Sequence, residues 1–388
     1  MTGAYLALLL AGATPLDSHF TPSHETVVDG MALEAATREL CDKEVALLGE
    51  AAHGDARTEL FKAALMENLV RRCGYRAVFF ESSFYEFVPI ARARRNGDPI
   101  TPTMVATAIG GLWKFDREFQ SVPQFLAEQA NAGTVSLGGL DFQLGGLDQN
   151  YTNEGVVSEL AATLEPEQAE GCRSVAQERL NGGLSLARRA DAARCLAAMA
   201  DHLPAGSRAE NGERRMMLSN LGTALNTDPG NGISSYISAR DRAMFDNFER
   251  MRRRLPRGTK IIVWAANAHI SNWAGEDPNF TGIRNFGSYI KQRYRRRAFA
   301  LGFSALSGSQ RWGREPRPLP AAPPESLEAR TMVHASNDTL FLGRDALRSM
   351  GAIEAAPFGH IYHPGRWWER FDAMVVFREE RAAERIRD

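Results

Sequence analysis

The chain has 388 residues, of which 44% are hydrophobic and 24% charged, as is typical of globular proteins with a buried core. Its net charge of −1 and pI near 6.7 give no general positive field, which argues against nucleic acid as a partner. Beyond the N-terminal segment, no apolar stretch is long enough to predict stable membrane insertion.

The N-terminal residues 4–13 read Ala-Tyr-Leu-Ala-Leu-Leu-Leu-Ala-Gly-Ala and are similar to the apolar core of a secretory signal. The small residues at 11–13 would suit cleavage, although no Lys or Arg precedes the apolar run. A short first helix of the fold is the alternative interpretation.

Four cysteines bear on the compartment, and none has the Cys-x-x-Cys spacing of a zinc knuckle or a thioredoxin-like motif. Cys41 lies four residues before Val45 and Cys73 four before Ala77, which would place both just ahead of neighbouring parallel strands. Cys172 and Cys195 lie on two helical patterns joined at Gly182-Gly183. Two disulfides, Cys41–Cys73 and Cys172–Cys195, would fit an oxidising compartment, and four buried thiols are the alternative. A periplasmic or secreted location is therefore slightly favoured over a cytoplasmic one.

Apolar runs alternate with helical patterns along most of the chain. Strands are predicted at residues 45–49, 76–80, 135–140, 260–264, 298–303 and 371–377. Helices are predicted at residues 55–73, 85–95, 103–109, 122–132, 238–255 and 287–294, and a proline-rich loop at 314–326. This alternation predicts an α/β fold with a mostly parallel central sheet flanked by helices.

The predicted elements also suggest how the chain is divided. Residues 1–30 form an N-terminal segment, and residues 31–150 and 231–388 are expected to form the two parts of the α/β core. Residues 151–230 lack strand signals and are rich in Ala, Leu, Glu and Arg, which favours helices. We expect this stretch to be a helical insertion that caps the cleft.

Polar residues follow four of the predicted strands. They are Glu50 and His53, then Glu81, then Asp141, and finally Asn267 and His269. A single such residue could be a helix cap or a turn residue, but four at the same rim are harder to explain in that way. The carboxyl ends of parallel strands are where α/β proteins bind their ligands. The other histidines, His24, His202, His334, His360 and His363, are expected to be surface or structural.

The chemistry that these residues predict is hydrolysis by a general base. A neutral imidazole such as that of His53 can take a proton from water, and Glu50 or Glu81 can orient it. His269 can stabilise an oxyanion or protonate a leaving group. The sequence has no Gly-x-Ser-x-Gly elbow, Gly-x-Gly-x-x-Gly motif or P-loop, which disfavours serine hydrolases and the usual nucleotide sites.

Several ordered motifs resemble the erythromycin esterase family. Residues 49–54 are similar to its Gly-Glu-x-x-His-Gly signature, and residues 240–244 to its Arg-Asp-x-x-Met helix. Residues 139–143 and 264–270 resemble two of its strand ends, and Trp113 with Asn131 resembles its tryptophan-to-asparagine segment. Lys62 lies where the family has a basic residue.

The resemblance implies opening of a macrolide lactone, or cleavage of another carboxylic ester, by activated water without a cofactor or metal. It implies that His53 is the general base, that Glu50 and Glu81 are its partners, and that His269 is a second catalytic histidine. Its small-molecule substrate is expected to contact the residues Lys62, Trp113, Asp141 and Asn267. The family often has another histidine where this chain has Ala266, which bears on the antibiotic substrate more than on hydrolysis.

Two other functions remain open on the sequence. A metal-dependent hydrolase would use His53, His269 and one carboxylate as ligands. A non-catalytic protein of broadly similar fold would bind haem or a metal, and a signal-like N-terminus is compatible with that function.

Overall fold

The computed structural model describes residues 30–145, 149, 151–180, 184–227, 232–272, 283–311, 313 and 315–386. The signal-like stretch and the Gly182-Gly183 break lie outside the described residues. The strands are β1 Val45–Leu48, β2 Tyr75–Ser83, β3 Ser136–Asp141, β4 Lys260–Trp264, β5 Ala298–Arg311, β6 Pro316–Pro318, β7 Thr339–Gly343, β8 Ile353–Phe358, β9 Ile361–Gly365 and β10 Ala373–Glu380.

The helices alternate with these strands in the first and last parts of the chain. They are α1 Gly30–Leu40, α2 Ala56–Cys73, α3 Phe87–Asn96, α4 Pro102–Ile109, α5 Ser121–Asn131, α6 Val156–Leu160, α7 Pro166–Leu180, α8 Leu186–Asp201, α9 Arg208–Asn226, α10 Ile233–Arg252, α11 Asn267–Ile270, α12 Phe286–Tyr294, α13 Leu327–Met332, α14 Arg344–Ser349 and α15 Trp367–Arg370.

The central sheet has the strand order β3-β2-β4-β1-β5-β10-β7, with β6 paired to the far end of β5. Neighbours from β3 to β10 are parallel, and β7 is antiparallel to β10. The prediction of a mostly parallel sheet flanked by helices is therefore confirmed. Crossover helices such as α2 and α10 make this topology possible, because parallel strands need long connections.

Both faces of the sheet are covered, which explains why its strands read as continuous apolar runs. In β1, Ala46 and Leu48 point into one core cluster together with residues of α1, α2, α4 and α5. Val45 and Leu47 point into the other core cluster, which contains residues of α10, α12 and α13. Successive side chains of a strand alternate between the two faces, so four residues of β1 contribute to two cores.

A third apolar cluster joins helices α6 to α9 to the start of α3. Cys172 of α7 and Cys195 of α8 form a disulfide within it, with Cα atoms 5.5 Å apart. Ser207 and Glu210 form a capping box that fixes the start of α9. The predicted pairing of Cys172 with Cys195 is confirmed.

The second disulfide lies at the amino ends of the strands. Cys41 and Cys73 are bonded, with Cα atoms 4.9 Å apart, as predicted. The expectation that they precede neighbouring strands was wrong, because β4 lies between β1 and β2. Lys260 at the start of β4 fills that gap by donating from Nζ to the carbonyls of Cys41 at 2.6 Å and Cys73 at 3.0 Å.

The sequence patterns missed the short strands. The predicted loop at 314–326 contains β6, which pairs with residues 309–311 of β5. The strands β7, β8 and β9 were also not predicted, and β8 and β9 form a separate antiparallel hairpin. Within the described residues, no helix is both long and apolar enough to span a bilayer.

Candidate active site

The strand order brings the predicted rim residues side by side. Leu48 pairs with Trp264, Trp264 with Phe80, and Phe80 with Gly139, so β1, β4, β2 and β3 end at nearly the same level. β1 and β4 are followed within five residues by predicted polar residues, whereas Glu81 lies near the carboxyl end of β2 and Asp141 is the last residue of β3. The residues predicted to form the rim therefore lie close together because these strands end at the same edge of the sheet.

Two glycines shape the loop that follows β1. A Cβ atom on Gly49 would overlap the side-chain oxygen of Asn267, so the backbone of this loop approaches the start of α11 only because residue 49 has no side chain. Gly54 has φ +85°, and a Cβ there would lie 2.8 Å from the carbonyl oxygen of Arg311. The glycines that frame the motif are thus required by close contacts and backbone conformation.

Glu50, His53, Lys62 and Trp113 form one cluster, here called the Glu50 cluster. Glu50 Oε1 accepts from His53 Nδ1 at 2.5 Å, and Oε2 accepts from Lys62 Nζ at 2.6 Å. Trp113 Nε1 donates to Oε1 at 3.0 Å. Lys62 also lies over the ring of Trp264, 4.2 Å from its centroid. His53 is thus the outermost member of a cluster whose other members are buried.

The charges of the Glu50 cluster depend on one another. Burial raises the pKa of Glu50, but Lys62 and His53 outweigh burial and leave that pKa below its ordinary value. Burial lowers the pKa of Lys62 below its ordinary value, although Glu50 opposes this. Burial also lowers the pKa of His53, but the bond to Glu50 and the charges of Glu50 and Glu81 raise it overall.

Glu81, Asp141, Arg240, Asp241 and His269 form a second cluster, here called the Arg240 cluster. Arg240 donates from Nη2 to Glu81 Oε1 at 2.8 Å and from Nε to Asp141 Oδ2 at 2.8 Å. His269 donates from Nε2 to Glu81 Oε1 at 3.0 Å and from Nδ1 to Asp241 Oδ1 at 2.9 Å. Arg240 Nη1 and His269 Nε2 lie 3.1 Å apart because both turn toward Glu81.

The Arg240 cluster holds its histidine in the charged form. Burial lowers the pKa of His269, but the carboxylates of Asp241 and Glu81 outweigh burial and Arg240 and raise that pKa to about 10. Burial raises the pKa of Glu81, yet His269 and Arg240 bring it well below its ordinary value. Three carboxylates therefore surround two cations, and His269 is an imidazolium at neutral pH.

The two clusters are connected through the backbone and through charge. Asn267 donates its backbone N–H to the carbonyl of Glu50 at 2.8 Å, which joins the loop after β1 to the start of α11. Glu81 also accepts from the backbone N–H of Ala266 at 2.8 Å. Glu81 is close enough to His53 to raise its pKa, so the four predicted catalytic residues belong to one region.

The residues expected to contact substrate are all buried. Lys62 and Trp113 bind Glu50, and Asp141 accepts from Arg240 and from the backbone of Gln143. Asn267 is 0% exposed and donates from Nδ2 to the carbonyls of Phe303 at 2.8 Å and Pro357 at 2.7 Å. The structure therefore gives these polar groups protein partners.

Arg240 and Asp241 were not assigned to the site from the sequence, although the Arg-Asp-x-x-Met segment singled them out. They come from α10, about 100 residues after β3, and no local pattern indicates that contact. The signal available in the sequence was an adjacent pair of opposite charges, of which the structure buries Asp241 completely and leaves Arg240 partly exposed. In the described residues, no group of three His, Cys, Asp or Glu side chains is arranged to hold a metal ion.

Comparison with known proteins places this geometry in a family. The erythromycin esterase profile matches residues 70–380, which include Glu81, Asp141, Arg240 and His269 but begin after His53. No protein of curated function matches the sequence significantly.

Three solved structures share the fold at low sequence identity. A Bacillus cereus protein is 17% identical over 93% of this chain and 95% of its own, with a TM-score of 0.71. A succinoglycan biosynthesis protein is 16% identical over 92% of each chain, with a TM-score of 0.68. A histidine-to-asparagine mutant of the erythromycin esterase EreC, in its open conformation, is 16% identical over 93% of this chain and 97% of its own, with a TM-score of 0.66. The profile match across most of the chain shows that the protein belongs to the erythromycin esterase family, whose membership and fold support a hydrolase.

Proposed function

We propose that the protein hydrolyses a lactone or another carboxylic ester, with His53 as the general base that activates water. The observation that supports this most strongly is the pairing of His53 Nδ1 with Glu50 Oε1 at 2.5 Å. An ionised carboxylate only accepts hydrogen bonds, so Nδ1 carries a proton, and in the neutral imidazole Nε2 keeps its lone pair. The His53 side chain is 21% exposed, whereas that of Glu50 is 1% exposed, so water can reach the imidazole but not its partner.

The proposed reaction is balanced without a cofactor. Nε2 of His53 removes a proton from water while the water oxygen bonds to the ester carbonyl carbon. The resulting tetrahedral oxyanion collapses, the carbon–oxygen bond of the ester breaks, and the proton on His53 passes to the leaving alkoxide. A lactone would give one hydroxy acid, and an open ester would give an acid and an alcohol.

His269 has a different role in this proposal. It is already protonated at neutral pH, because its pKa is raised to about 10 by Asp241 and Glu81, so it cannot serve as the base. Arg240 is a permanent cation beside it, with 16% of its side chain exposed. We assign the two cations to electrostatic stabilisation of the oxyanion, which commonly contributes more to catalysis than any other single effect.

Lys62, Trp113, Asp141 and Asn267 act as positioning residues in this proposal and do not contact the substrate. Lys62 and Trp113 fix Glu50, Asp141 fixes Arg240, and Asn267 fixes the loop between β4 and α11. Contacts to substrate then come from exposed groups near His53 and from the proposed helical cap at residues 151–230. Because Ala266 replaces the histidine that is often present in the family, we propose an ester substrate without assigning a macrolide.

The experiment is a hydrolysis screen of the purified protein against macrolides, other lactones and simple esters. His53→Ala should lower kcat by about a hundredfold or more, since that is the scale of general-base catalysis. His334→Ala is the matched control, because His334 is exposed and lies outside both clusters. Equal activity of His53→Ala and the native protein would refute the role of His53.

Two further measurements separate this function from its alternatives. Dialysis against a chelator should leave turnover unchanged, whereas loss of turnover and its return with zinc would support the metal-dependent hydrolase. Absence of ester turnover, together with an absorbance band in the Soret region after incubation with haem, would support the binding protein.

A further inference from the structure

The first turn of α2 is capped in an unusual way. Asp55 occupies the N-cap position, where an aspartate ordinarily accepts from a backbone N–H of the first turn, yet it makes no such bond. Glu380 of β10 replaces it by accepting from the backbone of Arg57 at 2.7 Å and of Thr58 at 3.3 Å. The Asp55 side chain is therefore available for another contact although it stands at a capping position.

That other contact holds the loop that carries His53. Asp55 Oδ2 accepts from the backbone N–H of Ala52 at 2.9 Å and lies 3.0 Å from His360 Nε2. The backbone N–H of Gly359 donates to the carbonyl of Ala51 at 2.8 Å. Ala51 and Ala52 are the residues between Glu50 and His53, so the β8–β9 turn and Asp55 bind the backbone of the loop directly beside His53.

His360 is held in a conformation that most residues avoid. It has φ +56° and is only 2% exposed, so it is neither a surface residue nor an incidental one. Left-handed backbone at a residue other than glycine is strained and persists where the surroundings impose it. The carbonyl of Pro357, near the end of β8, accepts from Asn267 Nδ2 at 2.7 Å, so the same hairpin also contacts the start of α11.

The charges around His360 strengthen its contact with Asp55. Burial lowers the pKa of His360, but the carboxyl groups of Asp55, Glu380 and Glu328 outweigh it and raise that pKa above its ordinary value. Both oxygens of Asp55 are within 3.2 Å of His360 Nε2. The contact is therefore a buried, charge-assisted pair.

We infer that the Asp55–His360 pair is a latch that positions His53 for catalysis, and that His360 is a positioning residue for the general base. This inference rests on the proposed function. The latch acts on His53 separately from the Glu50 carboxylate, because Lys62 and Trp113 bind that carboxylate directly and neither bond involves the β8–β9 hairpin. Release of the latch would thus move His53 away from a carboxylate that stays in place.

The test compares His360→Gly with the native protein by NMR titration of His53, which requires no substrate. Glycine relieves the positive φ and removes the bond to Asp55, so the His53 pKa should fall toward its ordinary 6.5 as the bond to Glu50 weakens. On an ester substrate, kcat should fall by about tenfold to a hundredfold, the effect of a displacement near 1 Å, with KM nearly unchanged.

Two other variants distinguish loss of the Asp55–His360 contact from a general loss of structure. His360→Gln keeps a donor for Asp55 and should restore most of the His53 pKa and of kcat. Asp55→Ser keeps a good N-cap residue but removes the latch, so it should reproduce the effect of glycine even if His360→Gly does not fold. His334→Ala should leave both readouts unchanged.

Unchanged His53 pKa and kcat in folded His360→Gly and Asp55→Ser would overturn the latch. Failure of the proposed function would look different, because the native protein would then hydrolyse no ester while the His53 pKa still moved in both variants.

Discussion

The two histidines at the rim of the sheet have opposite surroundings. His53 is bonded to one carboxylate, that of Glu50, and the Lys62 ammonium binds the same carboxylate. The His53 side chain is 21% exposed. His269 contacts two carboxylates, Asp241 and Glu81, and its side chain is 9% exposed. The imidazole of His53 can therefore exchange a proton with solvent, whereas that of His269 is enclosed by negatively charged groups.

This difference assigns the histidines to different tasks. A general base must be neutral at working pH, so its pKa should lie near neutrality; the pKa of His53 is raised above its ordinary value by Glu50 and Glu81 against the opposing effect of burial. A pKa of about 10 keeps His269 charged in the same pH range. Pairs of titratable groups whose environments separate their pKa values are a general way to assign acid, base and electrostatic roles.

The largest expected effect comes from removing the cation that joins the Arg240 cluster. Arg240→Met should destabilise the protein by about 3–5 kcal/mol, because the buried Asp141 would lose its cation and Glu81 would keep only His269 as a charged partner. Arg242→Met is the matched control on the same helix. Its exposed pair with Asp246 should contribute no more than about 1 kcal/mol. Thermal and denaturant unfolding measure both, and equal stability of the two variants would contradict a structural role for Arg240.

A second variant separates loss of stability from loss of chemistry. The double substitution Cys41→Ser/Cys73→Ser removes a disulfide across a sequence separation of 32 residues, at the end of the sheet away from both clusters. The entropy of that loop predicts a loss of about 3–4 kcal/mol. At a temperature where the variant is folded, kcat should equal that of the native protein. A large fall in kcat would show that activity depends on stability more than on either cluster.

A smaller effect is expected in the Glu50 cluster. Trp113→Phe keeps an aromatic ring but removes the indole N–H that donates to Glu50 at 3.0 Å. Loss of a hydrogen bond to a charged group should cost about 1.5–3 kcal/mol of stability. The Glu50 pKa should rise because one donor is lost, and kcat should fall less than in His53→Ala. If kcat falls as far as in His53→Ala, the indole has a role beyond holding Glu50.

Much of the fold could be predicted because the sheet is buried on both sides. Strands such as β1 and β4 read as short apolar runs followed at once by polar residues, which located both the sheet and its rim. The patterns gave Glu50, His53, Glu81 and His269 in this way. The cysteine pairs followed from their positions relative to the predicted strands and helices.

The remaining features depend on contacts that local patterns do not contain. Arg240 reaches Asp141 and Glu81 across 99 and 159 residues, so the sequence around each residue gives no sign of the other. Asp55 looked like an ordinary start of a helix, and only the structure shows that Glu380 takes over this role. The strands β8 and β9 are short and each contains a proline, so their sequences are hard to distinguish from a loop.

The most direct test of the account is an NMR titration of both histidines in one sample, with His53→Ala used for assignment. The rate of hydrolysis of an ester substrate is measured over the same pH range. We predict that the pKa of His53 lies above its ordinary value, that kcat/KM rises with pH through that pKa, and that His269 stays charged until about pH 10. A neutral His269 at pH 7, or a rate that does not follow the titration of His53, would contradict the division of roles between the two clusters.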